Sequence, residues 1–221
     1  MPNINLNTVL KMLDLSIKYE GICYPMLGLH PCYINDNYET EINEIFKFFS
    51  SSIIAIGEIG LDFYRNRDNE KKQIKAFEIQ CEYALKKNLP IVIHTRNSID
   101  ETIKVVSKYS NQGLKGVFHC FSGNLNQANR IIDLGFKIGV GGILTFKNSD
   151  IRNVISKVDL EHIILETDSP YLSPEPKRGA LNEPANIIFV SKKLSEICSL
   201  PTELVANVTS KNVINLFDLQ S

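Results

Sequence analysis

Four short apolar runs in this chain each lead into a residue able to bind a metal ion, and that repetition limits the fold more than any other feature. The first, Ile53-Ile-Ala-Ile56, reads as a buried parallel strand and ends in Gly57-Glu58. A carboxylate at the end of a core strand needs a cation or strong donors, because burying it alone costs on the order of several kcal/mol or more. Three later runs end the same way, in Ile93-His94, Phe118-His119 and Glu166-Thr167-Asp168. One ligand per strand, each at the C-terminal end, is the layout of a metal centre at the mouth of a (β/α) barrel.

The segments between these runs are helical in period. Asn5 to Tyr19 places Val9, Leu10, Leu13 and Ile17 on one face, although Met1-Pro-Asn-Ile-Asn before it lacks a strand. A strand from Ile22 to Leu29 follows, then a helix from Glu39 to Phe49 and the strand Ile53 to Glu58. The helix Lys71 to Lys87 repeats its apolar residues through Ile74, Phe77, Cys81, Ala84 and Leu85. Next come the strand Pro90 to His94, a helix from Ile99 to Tyr109 capped by Ser98, and the strand Gly116 to His119. Leu125 to Leu134 is a helix ended by Gly135. The strand Phe136 to Val140 enters Gly139-Val-Gly141-Gly142, where backbone must approach something closely. A helix from Ser149 to Val158, a strand from Ile163 to Thr167 and closing helices Ala185 to Cys198 and Thr202 to Leu216 complete the chain. Six strands alternate with helices and no linker divides them, so residues 1–221 are expected to form one domain, two strands short of a closed eight-stranded barrel.

Composition narrows the function. The chain has 221 residues, 43% of them hydrophobic, and a net charge of −1, so no global positive field draws it to nucleic acid or to a membrane surface. Five cysteines form no Cys-x-x-Cys pair and read as reduced, mostly buried thiols of a cytoplasmic protein. Cys120 follows His119 and is expected to point to the opposite face, as packing. No apolar stretch is long enough to span a bilayer, and no signal peptide opens the chain.

Glu58, His94, His119 and Asp168 form a mixed imidazole and carboxylate set that suits Zn²⁺, Mn²⁺ or another first-row ion. A lone strand-end histidine is usually a satisfied core or surface residue; four ligands at equivalent strand ends reverse that balance. His30, in Gly28-Leu-His-Pro31, either lines the mouth and contacts substrate or caps its own turn. His162 precedes the last strand and reads as structural. Asp62 and Arg65 fall in the loop after Glu58. Arg96 shares a face with His94 while the strand persists, and Arg178 lies in the long loop after Asp168. A guanidinium fork suits phosphate oxygens; that role is assigned to Arg178, and Arg96 stays open between phosphate contact and a solvated charge. Phe63, Tyr64, Phe121 and Phe146 follow strand ends and could stack on bases or pack.

These segments resemble the TatD family of metal-dependent deoxyribonucleases. The matching stretches are Gly28-Leu-His-Pro31, Ala55-Ile-Gly-Glu-Ile-Gly-Leu-Asp62, Ile91-Val-Ile-His-Thr-Arg96, Phe118-His-Cys-Phe-Ser-Gly123, Gly139-Val-Gly-Gly142 with Thr145-Phe-Lys-Asn148, Leu165-Glu-Thr-Asp-Ser-Pro-Tyr-Leu172, and Arg178-Gly with Asn182-Glu-Pro184. The resemblance implies a TIM-type barrel, a divalent metal centre of Mg, Mn or Zn, and hydrolysis of DNA phosphodiesters. By position it implies that Glu58 bridges two ions, that His94 and His119 complete one ion's shell, and that Asp168 binds the other and handles the water proton. Substrate contacts are expected from His30, Asp62, Arg96 and Arg178.

One departure matters. The family's first strand bears His-x-His, two ligands of the ion that Asp168 also binds, and His30 is the only histidine before Glu58 here. The expectation is therefore an α/β chain with a TIM-type (β/α)₈ barrel lacking its first strand, first helix and most of the second strand, holding one ion where the full site holds two. The retained ligands argue for a missing start rather than decay. DNA is the expected substrate, with no membrane and no obligate protein partner, and a complete barrel would be monomeric. Two other readings stand beside it: a catalytically impaired metal- or DNA-binding remnant, and a related barrel hydrolase acting on a lactone, amide or other ester.

Overall fold

Strands and helices alternate as the sequence predicts, but most strands begin or end elsewhere. A computed structural model describes residues 1–65 and 67–219. It divides into two compact units, Met1–Gly116 and Val117–Ser221.

The first unit holds helix α1 (Val9–Lys18), strand β1 (Met26–Leu27), α2 (Tyr38–Phe46), β2 (Ala55–Asp62), α3 (Glu70–Lys87), β3 (Ile91–Arg96) and α4 (Ile99–Ser110). β1 pairs in parallel with β2, and β2 with β3. The opening residues form no strand, as expected, but they are tied to β1: Pro2 makes an isolated parallel bridge to Met26, and the buried Asn3 side chain exchanges hydrogen bonds with Gly28 N and O at 3.0 and 2.8 Å. β1 is much shorter than the expected Ile22–Leu29. Ile22 lies in a turn, 76% exposed, and Pro25 has no N–H to give a ladder. On α1 the buried stripe is Val9, Met12 and Ser16, while Leu10 and Ile17 face solvent. Ser16 fits that stripe because its hydroxyl donates back to Leu13 O at 2.7 Å. Val9, Leu27, Leu29, Ile42 and Ile45 form the core under these elements, each burial contributing about 1.5–3 kcal/mol.

β2 does not stop at Glu58. It runs four residues further, to Asp62, and its pairing with β3 slips between Gly57 and Ile59. The slip places Glu58 in a bulge and sets Gly60 opposite His94. A Cβ on Gly60, whose φ is +135°, would stand 2.2 Å from His94 O, so only glycine lets the strands close here. His94 is therefore inside β3 rather than at its end. Ser98 occupies the N-cap position of α4, but its hydroxyl donates to Leu61 O at 2.6 Å and accepts from Arg96 N instead of capping the helix.

The second unit holds most of β4 (Gly116–Phe118), then α5 (Leu125–Asp133), β5 (Lys137–Val140), α6 (Ile151–Ile155), β6 (Ile163–Leu165), α7 (Ile187–Cys198) and α8 (Thr202–Phe217). β4 pairs in parallel with β5, and β5 with β6. α6 is half the expected helix. Gly135, at φ +83°, does end α5. Phe118 and Phe136 meet edge to face at 5.8 Å in the core. The close approach expected at the glycines is real: a Cβ on Gly139 would lie 2.9 Å from Phe118 O and 3.1 Å from Glu166 Oε2. No helix among the described residues is long and apolar enough to cross a membrane.

Candidate metal centre

The bulge in β2 turns Glu58 towards two imidazoles. His94 Nδ1 lies 2.9 Å from Glu58 Oε1, His30 Nε2 lies 3.5 Å from the same oxygen, and the two imidazole rings are 4.5 Å apart. These three residues offer ligand atoms all within 4.8 Å of one another. The capping reading of His30 holds, since its Nδ1 accepts from Cys32 N at 3.2 Å, while its Nε2 faces Glu58.

Asp62 is not a loop residue. It ends β2 with only 8% of its side chain exposed, and its Oδ2 meets His94 Nε2 at 2.9 Å. Oδ1 accepts from Tyr64 N, and Cys32 Sγ lies 3.4 Å from Oδ2. Burial alone would raise the Asp62 pKa, but the hydrogen bonds from His94 and Tyr64 and the charge of His94 carry it down to about 2. Burial works against protonated His94, and its two carboxylate partners outweigh that, leaving its pKa raised. His30 is raised in the same way, burial being outweighed by Cys32 and Glu58. The Asp62 backbone is held in turn by buried Gln73 on α3, which accepts from Asp62 N at 2.8 Å and donates to Asp62 O at 3.0 Å. Sequence reading missed Gln73 because it sits on the buried face of a helix whose apolar period alone draws the eye.

In the second unit the candidate ligands lie beyond strand ends, in His119 after β4 and Asp168 after β6. His119 Nδ1 is 2.7 Å from Glu166 Oε2, and its Nε2 is 3.6 Å from Asp168 Oδ1. Glu166 was also missed as a site residue, although it lies two residues from Asp168; its other oxygen accepts from Cys120 N. Cys120 does not point away. Strand alternation ends at Phe118, and Cys120 adopts φ +50°, so its sulfur joins His119 and Asp168 as a group with ligand atoms within 4.8 Å. Asp168 has φ +54° and 27% of its side chain exposed. Its loop is fixed by buried Asn182, which donates to Thr167 O and Tyr171 O, each at 2.6 Å.

The remaining expected residues stand apart from these clusters. Arg96 is exposed, with its guanidinium 3.5 Å over the Tyr64 ring. Arg178 lies 3.7 Å over the Phe146 ring. His162 sits before β6 against Glu161, at 3.5 Å. Phe63 and Phe121 are buried packing residues. Of the five cysteines only Cys81 is buried, so the expectation of mostly buried thiols is too strong.

The donor chemistry fits a divalent ion. Each unit converges neutral-capable imidazole and carboxylate oxygen at one place, and each key histidine has a carboxylate on its other nitrogen, the arrangement that fixes the tautomer of a metal-binding imidazole.

Comparison with known proteins gives the same class. A family model for TatD-related DNases matches residues 1–218. The metal-dependent hydrolase YcfH of Escherichia coli K12 is 31% identical over 214 residues, covering 96% of this chain and 80% of YcfH. A metal-dependent hydrolase of Buchnera aphidicola from Acyrthosiphon pisum is 37% identical over 212 residues, covering 91% and 79% of the two chains. The crystal structure of YjjV, a TatD homologue from E. coli K12, superposes with a TM-score of 0.92 at 29% identity over 100% of this chain and 86% of YjjV, bearing out the fold expected from the sequence.

Proposed function

Taking as premise that this chain belongs to the TatD-related DNase family, we propose that it hydrolyses phosphodiester bonds in DNA with bound divalent metal ions. His30 Nε2, Glu58 Oε1 and His94 Nδ1 would hold one ion in the first unit. His119 Nε2 and Asp168 Oδ1 would contribute to another in the second. When bound, ions of the Mg, Mn or Zn kind neutralise charge growing on the phosphoryl oxygen and make a water acidic enough to attack phosphorus.

The chain's own groups do the rest. Asp62 accepts the Nε2 proton of His94, which leaves the Nδ1 lone pair directed at Glu58 and the ion. Glu166 does the same for His119 from the Nδ1 side. Asp168, the most exposed of the four carboxylates in the two clusters, takes the proton released by the attacking water as the phosphorus–oxygen bond to the leaving nucleotide breaks. Five cysteines outside any disulfide fit work in the reducing cytoplasm, by a monomer with no obligate protein partner.

The observation that carries this reading is the carboxylate–imidazole–carboxylate set built twice in a chain matched almost end to end by a DNase family model. Glu58→Gln tests it, because the amide keeps the shape and removes the charge that offsets a cation. The expected result is loss of bound metal and near-complete loss of DNA cleavage, with far-UV circular dichroism unchanged. A folded Glu58→Gln chain that cleaves DNA at the wild-type rate overturns it.

A further inference from the structure

The second unit contains a cavity of about 530 Å³ that neither metal cluster uses. Pockets for small organic ligands fall in the range of about 300–1,000 Å³. One wall is Ser122 and Gly123, on the loop that carries His119; another is Glu175 and Arg178, on the loop that follows Asp168. The cavity is thus flanked by the two segments that bear the second cluster's ligands. Between them runs the turn from Ile143 to Ile151.

That turn is held rigidly. Arg152 donates from Nε to Leu144 O at 3.0 Å and from Nη2 to Thr145 O and Phe146 O at 2.7 and 2.6 Å. Thr145 Oγ1 donates to Gly142 O and accepts from Glu175 N at 2.8 Å, which ties the turn to the opposite wall. The Phe146 ring is thereby fixed, and it carries the Arg178 guanidinium 3.7 Å above its face. At that distance the guanidinium charge rests against the ring's π face. Lys147 adds a second cation, and Asp150 and Glu175 add two carboxylates. Among the described residues, none of these four charged side chains makes an ion pair. Two positive and two negative groups leave the pocket electrically balanced. Such a balance favours a monoanionic diester carrying a neutral base over a doubly charged terminal phosphate.

We propose that this cavity binds one internal nucleotide of the substrate strand, with its phosphodiester on Arg178 and Lys147 and its base against the Phe146–Arg178 stack. The proposal rests on the phosphodiesterase reading above. Phe146 supplies the apolar wall for the base, and Arg178, seated 3.7 Å over its ring, supplies the contact to the linkage.

Short single-stranded oligonucleotides carrying one methylphosphonate linkage or one abasic site, moved along the strand, test it with the metal-loaded chain. In the wild type one linkage and one base position should each lower kcat/KM about tenfold when modified. The linkage effect should vanish in Arg178→Ala, and the base effect should vanish in Phe146→Leu and return in Phe146→Tyr. Metal content should not change in any of these variants. Flat scans on oligonucleotides that are cleaved, or scans that keep their pattern in both variants, overturn the pocket and leave the phosphodiesterase reading standing. A terminal phosphate that supplies the effect also overturns it. A chain that cleaves no phosphodiester at all overturns both.

Discussion

The two clusters use the same parts and differ in how tightly they are built. In the first unit His94 is gripped on both nitrogens at 2.9 Å, its carboxylates are 14% and 8% exposed, and the residues lie within strands. In the second unit His119 is gripped at 2.7 Å on one side, but Asp168 stands 3.6 Å from the other, is 27% exposed and sits on a loop. A site built on paired strands is set before an ion arrives; a site built beyond strand ends is completed by what binds to it. The first cluster is therefore suited to holding an ion tightly, and the second to meeting water and substrate.

Replacing the orienting carboxylates should expose that difference most. Asp62→Asn and Glu166→Gln each replace the charged, acceptor-only partner that fixes a histidine tautomer with a neutral amide, a change that typically costs about 10–100-fold in metal affinity or activity. Asp62→Asn is expected to act mainly on metal affinity, and Glu166→Gln mainly on kcat. Calorimetric metal titration beside steady-state kinetics separates the two, and an equal loss of affinity in both variants would break the contrast.

A smaller effect should follow from the side chains that hold the backbone. Gln73→Leu strands the Asp62 N–H and C=O, at about 1–3 kcal/mol of stability. Asn182→Leu frees Thr167 O and Tyr171 O in a loop, so its result should be local. Denaturant melts should shift for the first variant. Hydrogen exchange should accelerate around residues 167–182 for the second, with little change in the melt.

The smallest prediction concerns pH in chelator. The depressed Asp62 pKa stabilises the fold above its ordinary value of 3.8, and that contribution fades as pH falls towards about 2. The raised His94 pKa stabilises it below the ordinary 6.5, and that contribution fades as pH rises through the raised value. The stability gap between wild type and Asp62→Asn should therefore be widest between those two ordinary values and shrink above them. A gap that widens towards alkaline pH would show that the pair is not what the two groups titrate against.

Much of this was legible in the chain itself. Apolar runs ending in Glu58, His94, His119 and Asp168 gave the strand order and the donor types, because burial and metal binding both leave one-dimensional marks. The bulge at Glu58 was not legible, since a register slip depends on the partner strand. Cys120 was misjudged because alternation was extended past Phe118, where the backbone leaves the strand for positive φ. Gln73 and Asn182 act on backbone far along the sequence, and nothing in local period distinguishes them from ordinary polar residues.

The grip of Gln73 on the end of β2 has a bearing on redesign. The segment after Asp62 is the natural place to graft new specificity, yet the geometry of the strand residue it departs from is written on a helix that begins eight residues later. Libraries that vary the loop while keeping Gln73 should return active variants far more often than libraries that vary both. The helix, not the loop, is where such a graft should be anchored.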